Sequence, residues 1–235
     1  MAGRRTLLPF PVFGLLLMLP PLTILGDYLL FRLSDNDAPL TVKALFDSSV
    51  HALLGLISWT AVLYGLGLGR TVGLGLLFAV FSSVAVDMDH FIKAKSFHLE
   101  DALHMVSPPP FHDSLLPFLM FAVAMVDISY SANNKKHQSI SQRSLYLLQL
   151  FTTVSVHLFR DAARRGLSIG YVLLMPPRSP FGLFPFFIPL FPLFTRYLLS
   201  KIGIFEQQLV KNDREPLQSI RTLPPPEMDE EERLQ

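Results

Sequence analysis

The sequence contains no cysteine. This absence excludes disulfide bonds, thiolate metal ligands and a cysteine nucleophile, so any metal bound by the chain must use nitrogen and oxygen ligands. The formal net charge is only +1. There is no basic arm and no nucleic-acid-binding motif, so we expect that the protein does not bind nucleic acid.

Charged residues of either sign are also scarce. They make up 17% of the 235 residues, whereas half of the residues are apolar and the mean hydropathy is +0.39. Soluble globular domains carry about 25% charged residues, and they need them to cover their surface in water. The composition therefore favours a lipid bilayer as the solvent of most of the chain, and we expect an integral, multi-pass membrane protein.

Six stretches of the chain are apolar over about the 20 residues that a spanning helix needs. They are residues 6–26, 43–69, 71–92, 112–130, 144–163 and 181–199. The last stretch contains three prolines, so it either spans as a distorted helix or only re-enters the membrane. We therefore predict an all-α fold, a polytopic membrane helix bundle of five or six transmembrane helices.

The two ends of the chain differ in character. The first apolar stretch is longer than the apolar region of a signal peptide, so we interpret it as an uncleaved helix that is kinked or interrupted near Pro20 and Pro21. From Glu206 onward the chain becomes polar, and residues 227–232 are almost wholly acidic. We predict a multi-pass membrane domain over residues 1–205 and a polar, disordered tail over residues 206–235.

Aspartate and histidine residues occur inside or beside the apolar stretches at five places. They are Asp27, Asp47 with His51, Asp87 with Asp89 and His90, His112 with Asp113, and His157 with Asp161. A charged side chain at the centre of a spanning helix costs about 2.5–3.5 kcal/mol on insertion scales, so such residues usually pair, meet water or bind a ligand. If the first five stretches each cross once, all five places lie at one membrane face. The pattern indicates one cluster, although the balance of lysine and arginine leaves its compartment open.

The spacing of these residues suits metal binding. His157 and Asp161 are four residues apart, so both project from one face of a helix, and Asp47 and His51 do the same. Mixed imidazole and carboxylate ligands fit zinc, manganese or iron better than calcium or magnesium. The pattern therefore indicates a divalent transition metal, with zinc or manganese as the first choice.

Four fragments of the chain resemble, in the right order, signatures of the YdjM-like, LexA-regulated membrane-bound metal-dependent hydrolases. They are Ser-Ser-Val-His-Ala-Leu-Leu-Gly (48–55), Val-Asp-Met-Asp-His (86–90), Phe-His-Asp-Ser-Leu-Leu (111–116) and Ser-Val-His-Leu-Phe-Arg-Asp (155–161). The resemblance covers about half of the chain. It implies a metal site at the positions His51, Asp87, Asp89, His90, His112, His157 and Asp161. Of these, Asp89 is the better candidate for a supporting residue, and the other six are the expected ligands.

The chain departs from this family at two points. The family usually has a His-Arg pair before its second histidine, whereas this chain has Ser-Pro-Pro-Pro at residues 107–110, and Asp113 stands where the family has serine. Either His98 or His104 supplies the missing ligand, or the site has lost its activity. Both histidines belong to a segment that we expect to form a short interfacial helix over the site.

The resemblance implies a metal-dependent hydrolase that acts on an ester or phosphoester at the membrane, lipids included, or an inactive relative of such an enzyme. The metal would activate a water molecule, and Asp89 or Asp113 is the expected general base. The alternative is a non-enzymatic scaffold or a transporter-like protein whose buried acids and histidines serve assembly or proton movement.

Several other ionisable residues have simpler interpretations. We interpret Asp27 as an interhelical hydrogen-bond partner or a snorkelling group. The arginines that flank the last histidine, Arg160, Arg164 and Arg165, are interpreted as interfacial anchors rather than phosphate ligands. We interpret His98, His104 and His137 as structural or solvated residues.

The shared membrane face can be tested with single cysteines, because the chain has none of its own. Cysteines that replace Ala38, Ser96 and Ser168 should all react with an impermeant thiol reagent added from the same side of sealed membranes. Reaction from opposite sides would contradict a single cluster.

Overall fold

Helices form most of the described part of the chain. The computed structural model describes residues 9–64, 72–103, 109–133, 141–169, 172–175 and 184–201. Its helices are α1 (Phe10–Asp35), α2 (Leu40–Leu63), α3 (Val72–Ala85), α4 (Met88–Ala94), α5 (Leu99–Leu103), α6 (Leu115–Asn133), α7 (Gln142–Arg165), α8 (Phe184–Phe187) and α9 (Leu190–Lys201). A 3-10 turn, Pro110–His112, precedes α6. The predicted all-α architecture is confirmed.

The helices identify an integral membrane protein. Among the described residues, three segments are long and apolar enough to cross a bilayer, namely Phe10–Asp35, Leu40–Leu63 and Gly73–Ala94, and two shorter helical segments, Leu115–Tyr130 and Phe184–Ser200, are also apolar. Large apolar side chains such as Leu77 on α3 and Val126 on α6 are about 70% exposed. Side chains of this kind are stable when lipid covers them.

Helix α7 lies at the centre of the bundle and is polar. It packs against α2, α3, α6, α8 and α9. Thr152 shares a 2.8 Å hydrogen bond with Thr195 of α9, and Thr153 shares a 2.9 Å hydrogen bond with Ser82 of α3. The side chain of Gln149 donates to the backbone of α3. A polar helix is tolerated in a membrane when neighbouring helices satisfy its side chains, as they do here.

The prolines of two apolar stretches have different effects. Helix α1 continues past Pro20 and Pro21 to Asp35, so an interruption of the helix, one of the two alternatives predicted there, was wrong, and the alternative of a kink stays a prediction. Two prolines remove only a few backbone hydrogen bonds, and the packing of α1 against α2 holds the helix together. The last apolar stretch does divide, because α8 ends before Ile188 and α9 begins after Pro189.

The helix of the third apolar stretch is interrupted at Asp87. Helix α3 ends at Ala85, α4 starts at Met88, and Asp87 lies in the turn between them. After α4, the short helix α5 forms over Leu99–Leu103 and packs against α2 and α4. A short helix was expected between the third and fourth stretches, and α5 is that helix.

One small element was not predicted. Helix α7 ends at Arg165 and is followed by Gly166, whose φ of 88° lies in the region that favours glycine. The chain then forms an antiparallel hairpin of β1 (Leu167–Ile169) and β2 (Val172–Met175). Residues 202–235 lie outside the described part of the chain. The proposed division between a membrane domain and a tail at residue 206 therefore stays a prediction.

Helices α2 and α3 approach each other closely at Gly55. A Cβ atom added to Gly55 would lie 2.8 Å from the Cβ atom of Ser83 and 3.1 Å from the carbonyl oxygen of Ala79. The carbonyl oxygen belongs to the backbone of α3, and the Cβ atom is attached directly to that backbone. The two helices would therefore have to separate to make room for a methyl group at position 55. Small residues at such crossings allow helix backbones to pack tightly in membranes.

We predict that Gly55→Ala lowers the thermal stability of the protein in detergent by about 1–3 kcal/mol, because it forces this overpacking. Unfolding can be followed through the fluorescence of Trp59, which is the only tryptophan and is 1% exposed. The matched control is Gly14→Ala, since a Cβ atom at this helical glycine meets nothing within 4 Å. Equal melting temperatures for the two variants would contradict the close approach.

Candidate metal centre

The ionisable residues of five helical segments meet at one end of the bundle. The segments are the second half of α1, the first half of α2, the turn between α3 and α4, the 3-10 turn before α6, and the end of α7. The contacts that join them link residues far apart in the chain, such as Asp87 with His157 and Asp27 with Arg160. The structure thus brings all six predicted metal ligands into one region.

Four of the six predicted ligands form the tightest group. Asp87, His112, His157 and Asp161 each offer one ligand atom, and these four atoms lie within 4.8 Å of one another. The Nε2 atoms of His112 and His157 are 3.4 Å and 3.5 Å from Oδ1 of Asp87, and Oδ2 of Asp161 is 3.7 Å from Nε2 of His112. Two imidazoles and two carboxylates are a donor set that could hold a metal ion.

On each imidazole of this group, the nitrogen that faces away from the other ligands contacts an oxygen atom of its own. The Nδ1–H of His157 donates to the carbonyl oxygen of Ser83 at 2.7 Å, which leaves Nε2 as the acceptor nitrogen. Nδ1 of His112 lies 3.3 Å from Oδ1 of Asp89, and the other oxygen of Asp89 accepts the Phe111 backbone N–H at 2.5 Å. Support of this kind orients metal-binding histidines in known sites.

The carboxylates of the group favour positive charge at its centre. His112 lies in the 3-10 turn, outside the apolar segment that begins at Leu115. Burial disfavours the protonated ring of His112, but its hydrogen bonds to Asp161, Asp87 and Asp89 outweigh burial and raise the pKa of His112 to about 10.

The other two predicted ligands lie beside the group of four. Nδ1 of His90 is 3.2 Å from Oδ1 of Asp89, and the His90 ring meets the His112 ring edge to face. The His51 ring stacks on the His157 ring with centroids 3.7 Å apart, and its Nε2 lies 3.2 Å from Oδ1 of Asp161. The predicted six residues therefore share one cluster, but His51 and His90 contact the group from outside.

A network of buried ion pairs adjoins the histidines. Arg160, which is fully buried, lies 2.9 Å from Oδ1 of Asp27 and 2.7 Å from Oδ1 of Asp47. Arg164 makes two contacts with the carboxylate of Asp47, at 3.0 Å and 3.2 Å, and also binds Asp161. Through its two oxygens, Asp161 connects this network to the group of four.

The network corrects the interpretation of the arginines as interfacial anchors. Arg160 and Arg164 point into the bundle and neutralise Asp27 and Asp47, whereas the side chain of Arg165 lies outside the described part of the structure. Asp27 makes an interhelical contact, as one of its two interpretations predicted. Its partner is the charged side chain of Arg160. Arg160 and Arg164 are four residues apart, and this spacing was the one signal that both point the same way.

The remaining candidate residues have separate places. Oδ1 of Asp113 accepts the backbone N–H of Leu115 at 2.8 Å, so this carboxylate caps the start of α6. His98 is exposed and is absent from the groups of potential metal ligands found among the described residues. His104, His137 and residues 107–108 lie outside the described ranges.

We predict that Arg160→Met destabilises the protein by about 3–5 kcal/mol, because it removes the closer of the two cations at the buried carboxylates of Asp27 and Asp47 and leaves only Arg164 beside them. Adding Asp27→Asn to this variant should recover part of the loss. The control is Arg32→Met, which changes an exposed arginine of α1. Thermal unfolding followed by Trp59 fluorescence gives the comparison, and similar stabilities for Arg160→Met and Arg32→Met would count against the network.

Comparison with known proteins finds relatives that are named but carry no stated activity. The chain is similar to Transmembrane protein 267 of Danio rerio, with 34% identity over 130 residues, or 54% of each chain. It is similar to Transmembrane protein 267 of Mus musculus, with 31% identity over 137 residues, or 58% of this chain and 60% of the relative. The chain spans about half the length of the curated relatives it matches.

The other two comparisons add no relative. No model of a known protein family matches the chain. No solved structure matches it. The comparisons thus support a relation to transmembrane proteins and give no support to the resemblance to the YdjM-like hydrolases.

Proposed function

We propose that the group formed by Asp87, His112, His157 and Asp161 binds one divalent transition metal ion, and that the protein is a membrane-embedded metal-dependent hydrolase. The substrate would be an ester or phosphoester at the membrane. The observation that carries the proposal is the convergence of four ligand atoms from three separate chain segments within 4.8 Å of one another. If turnover has been lost, the same site would bind metal in an inactive relative.

The orientation of the histidines supports a metal ion in place of the hydrogen bonds that join these side chains. The Nε2 atoms of His112 and His157 face each other at 3.4 Å, and the Nδ1 atom of each ring has its own partner on the far side. Two imidazole nitrogens so placed can both act as ligands of one cation. Imidazole and carboxylate ligands together favour zinc or manganese.

The charge distribution supports a single metal ion. Asp47, His51 and Asp161 form a second group of potential ligands. However, the guanidinium groups of Arg160 and Arg164 already contact the carboxylates of that group. A second divalent cation would be repelled there by both guanidinium groups. The proposed site has an arginine contact only at Asp161, through Arg164, and no arginine lies among the contacts described for Asp87.

One side of the proposed site is accessible to a substrate. The side chain of Asp87 is 25% exposed, whereas those of His112, His157 and Asp161 are 6% exposed or less. A bound metal would supply a water molecule acidified toward neutral pH and would polarise the substrate carbonyl or phosphoryl oxygen. Water and substrate would therefore reach the site from the side of Asp87.

The geometry changes the choice of general base. Asp113 caps α6, and both oxygens of Asp89 face other groups, namely the Phe111 N–H, His90 and His112. Asp89 therefore orients the two imidazoles. His90 lines a cavity together with Asp87, so its ring is the group best placed to accept a proton from water, with Asp89 as its partner.

We predict that the purified wild-type protein, prepared without chelator and offered zinc, manganese and iron, holds close to one metal ion per chain. His157→Ala and Asp87→Ala should lose it, because each removes one ligand of four. The matched control, His98→Ala, changes an exposed histidine and should retain the metal. Elemental analysis makes the measurement, and wild type should also melt at higher temperature with metal than without it.

The same preparations separate metal binding from turnover. His90→Ala should keep the metal but lower hydrolysis of an ester or phosphoester reporter by about 100-fold or more, as expected for a general base. A wild-type protein without stoichiometric metal would contradict the proposed hydrolase function and would favour a non-enzymatic scaffold built on the arginine network. Wild type that binds metal but hydrolyses nothing would instead be an inactive relative.

A further inference from the structure

A cavity of about 410 Å³ adjoins the candidate metal centre. It lies between the first half of α2 and the segment formed by α4 and α5. Its size falls within the range of about 300–1,000 Å³ that is usual for small-molecule sites. Most of its wall is apolar, with Leu45, Phe91, Phe97 and Leu103 among the lining residues.

The polar part of the cavity wall belongs to the cluster. Asp87 is one of the four proposed metal ligands, and His90 is the proposed general base; both line the cavity, as does Asp47. A molecule in this cavity would therefore meet the cluster with one end and apolar side chains along the rest of its length. Such a wall fits an amphiphile better than a wholly polar solute.

The other side of the cavity reaches the surface through apolar side chains. Phe97 lines the cavity and is 96% exposed, and Leu103 lines it and is 42% exposed. Exposed aromatic and aliphatic residues in or directly before a short helix beside membrane spans are typical of a segment that lies in the membrane interface. A lipid in the bilayer could thus enter the cavity from the side, beside α5.

The charges around the cavity select against an anionic head group. Among the described residues that line it, the charged ones are Asp47 and Asp87, and none is a lysine or an arginine. The nearby Arg160 and Arg164 are engaged by Asp27, Asp47 and Asp161. A phosphate monoester or a fatty acid anion would meet these carboxylates with no lysine or arginine side chain beside it, and only a metal ion at Asp87 would offset them. An uncharged ester would not be repelled with or without the metal.

We propose that this cavity binds the acyl chain of an uncharged carboxylic ester, such as a monoacylglycerol, and holds the ester group beside Asp87 and His90. Binding follows from the cavity alone, whereas cleavage rests on the proposed hydrolase function. In that reaction water adds to the ester carbonyl, the bond from the acyl carbon to the alcohol oxygen breaks, and the alcohol leaves with a proton. The products are a fatty acid and glycerol.

The test uses a monoacylglycerol with a photoreactive diazirine in its acyl chain, applied to the full-length protein in lipid nanodiscs. We expect labelling on residues 41–48 and 88–103, mapped by mass spectrometry. Ala44→Trp, which fills the cavity from α2, should lower this labelling by about tenfold. The matched control, Ala122→Trp, places the same group on the exposed surface of α6 and should leave labelling unchanged.

A second pair of variants covers the case in which Ala44→Trp does not fold. Leu45 lines the cavity and is 70% exposed, and Leu77 of α3 lies outside it and is 69% exposed. Leu45→Trp should reduce labelling of the two segments, and Leu77→Trp should not. Unlabelled monoacylglycerol should compete for the cavity, whereas a fatty acid anion or a lysophosphatidic acid should compete poorly.

The outcomes distinguish the two proposals, because metal content is measured in the same samples. Labelling of the cavity by a protein without metal would support the lipid site and overturn the hydrolase. A protein that holds metal but is labelled only on its outward-facing helices, with no effect of Leu45→Trp, would overturn the lipid site. Equal competition by lysophosphatidic acid would overturn the preference for an uncharged ester.

Discussion

Neutralisation of buried carboxylates is the constraint on which the rest of this bundle depends. Asp27 and Asp47 come from different helices and share the cation of Arg160, which is fully buried on a third. In a low-dielectric medium each of these groups would be very costly alone. The orientation of α1 and α2 against α7 is therefore tied to the guanidinium groups of Arg160 and Arg164, of which Arg160 makes the shorter contacts. Apolar contacts between these helices could tolerate sliding, but charged contacts at under 3 Å cannot.

Asp161 transmits this constraint to the histidine cluster. One of its oxygens contacts Arg164 and His51, and the other faces His112. The same network that stabilises the packing of α1, α2 and α7 therefore also sets the position of a proposed metal ligand. A substitution of Asp161 would therefore affect both the helix packing and the proposed metal site. This explains why a polar helix occupies the centre of the bundle and apolar helices surround it.

The sequence predicted the helices and the convergence of the cluster because both depend on short-range rules, hydrophobic length and residue spacing. His157 and Asp161 were correctly placed on one helix face. The inward direction of Arg160 and the helix cap formed by Asp113 were not predicted, for a physical reason: a side chain at a helix end can point to water or into the bundle, and only the neighbouring helices decide. The break at Asp87 was also hidden, since no proline or glycine marks it. The ligand roles themselves stay predictions.

The crossing at Gly55 has a consequence for acid–base chemistry. Ser83, the residue that a larger side chain at position 55 would displace, also accepts the Nδ1–H of His157 through its carbonyl oxygen. That hydrogen bond selects the tautomer whose Nε2 lone pair faces the cluster. The position of a proton on an imidazole is thus decided by how closely two helices fit together in lipid. Gly55 has no functional group of its own, but by allowing this close approach it contributes to the site as a ligand does.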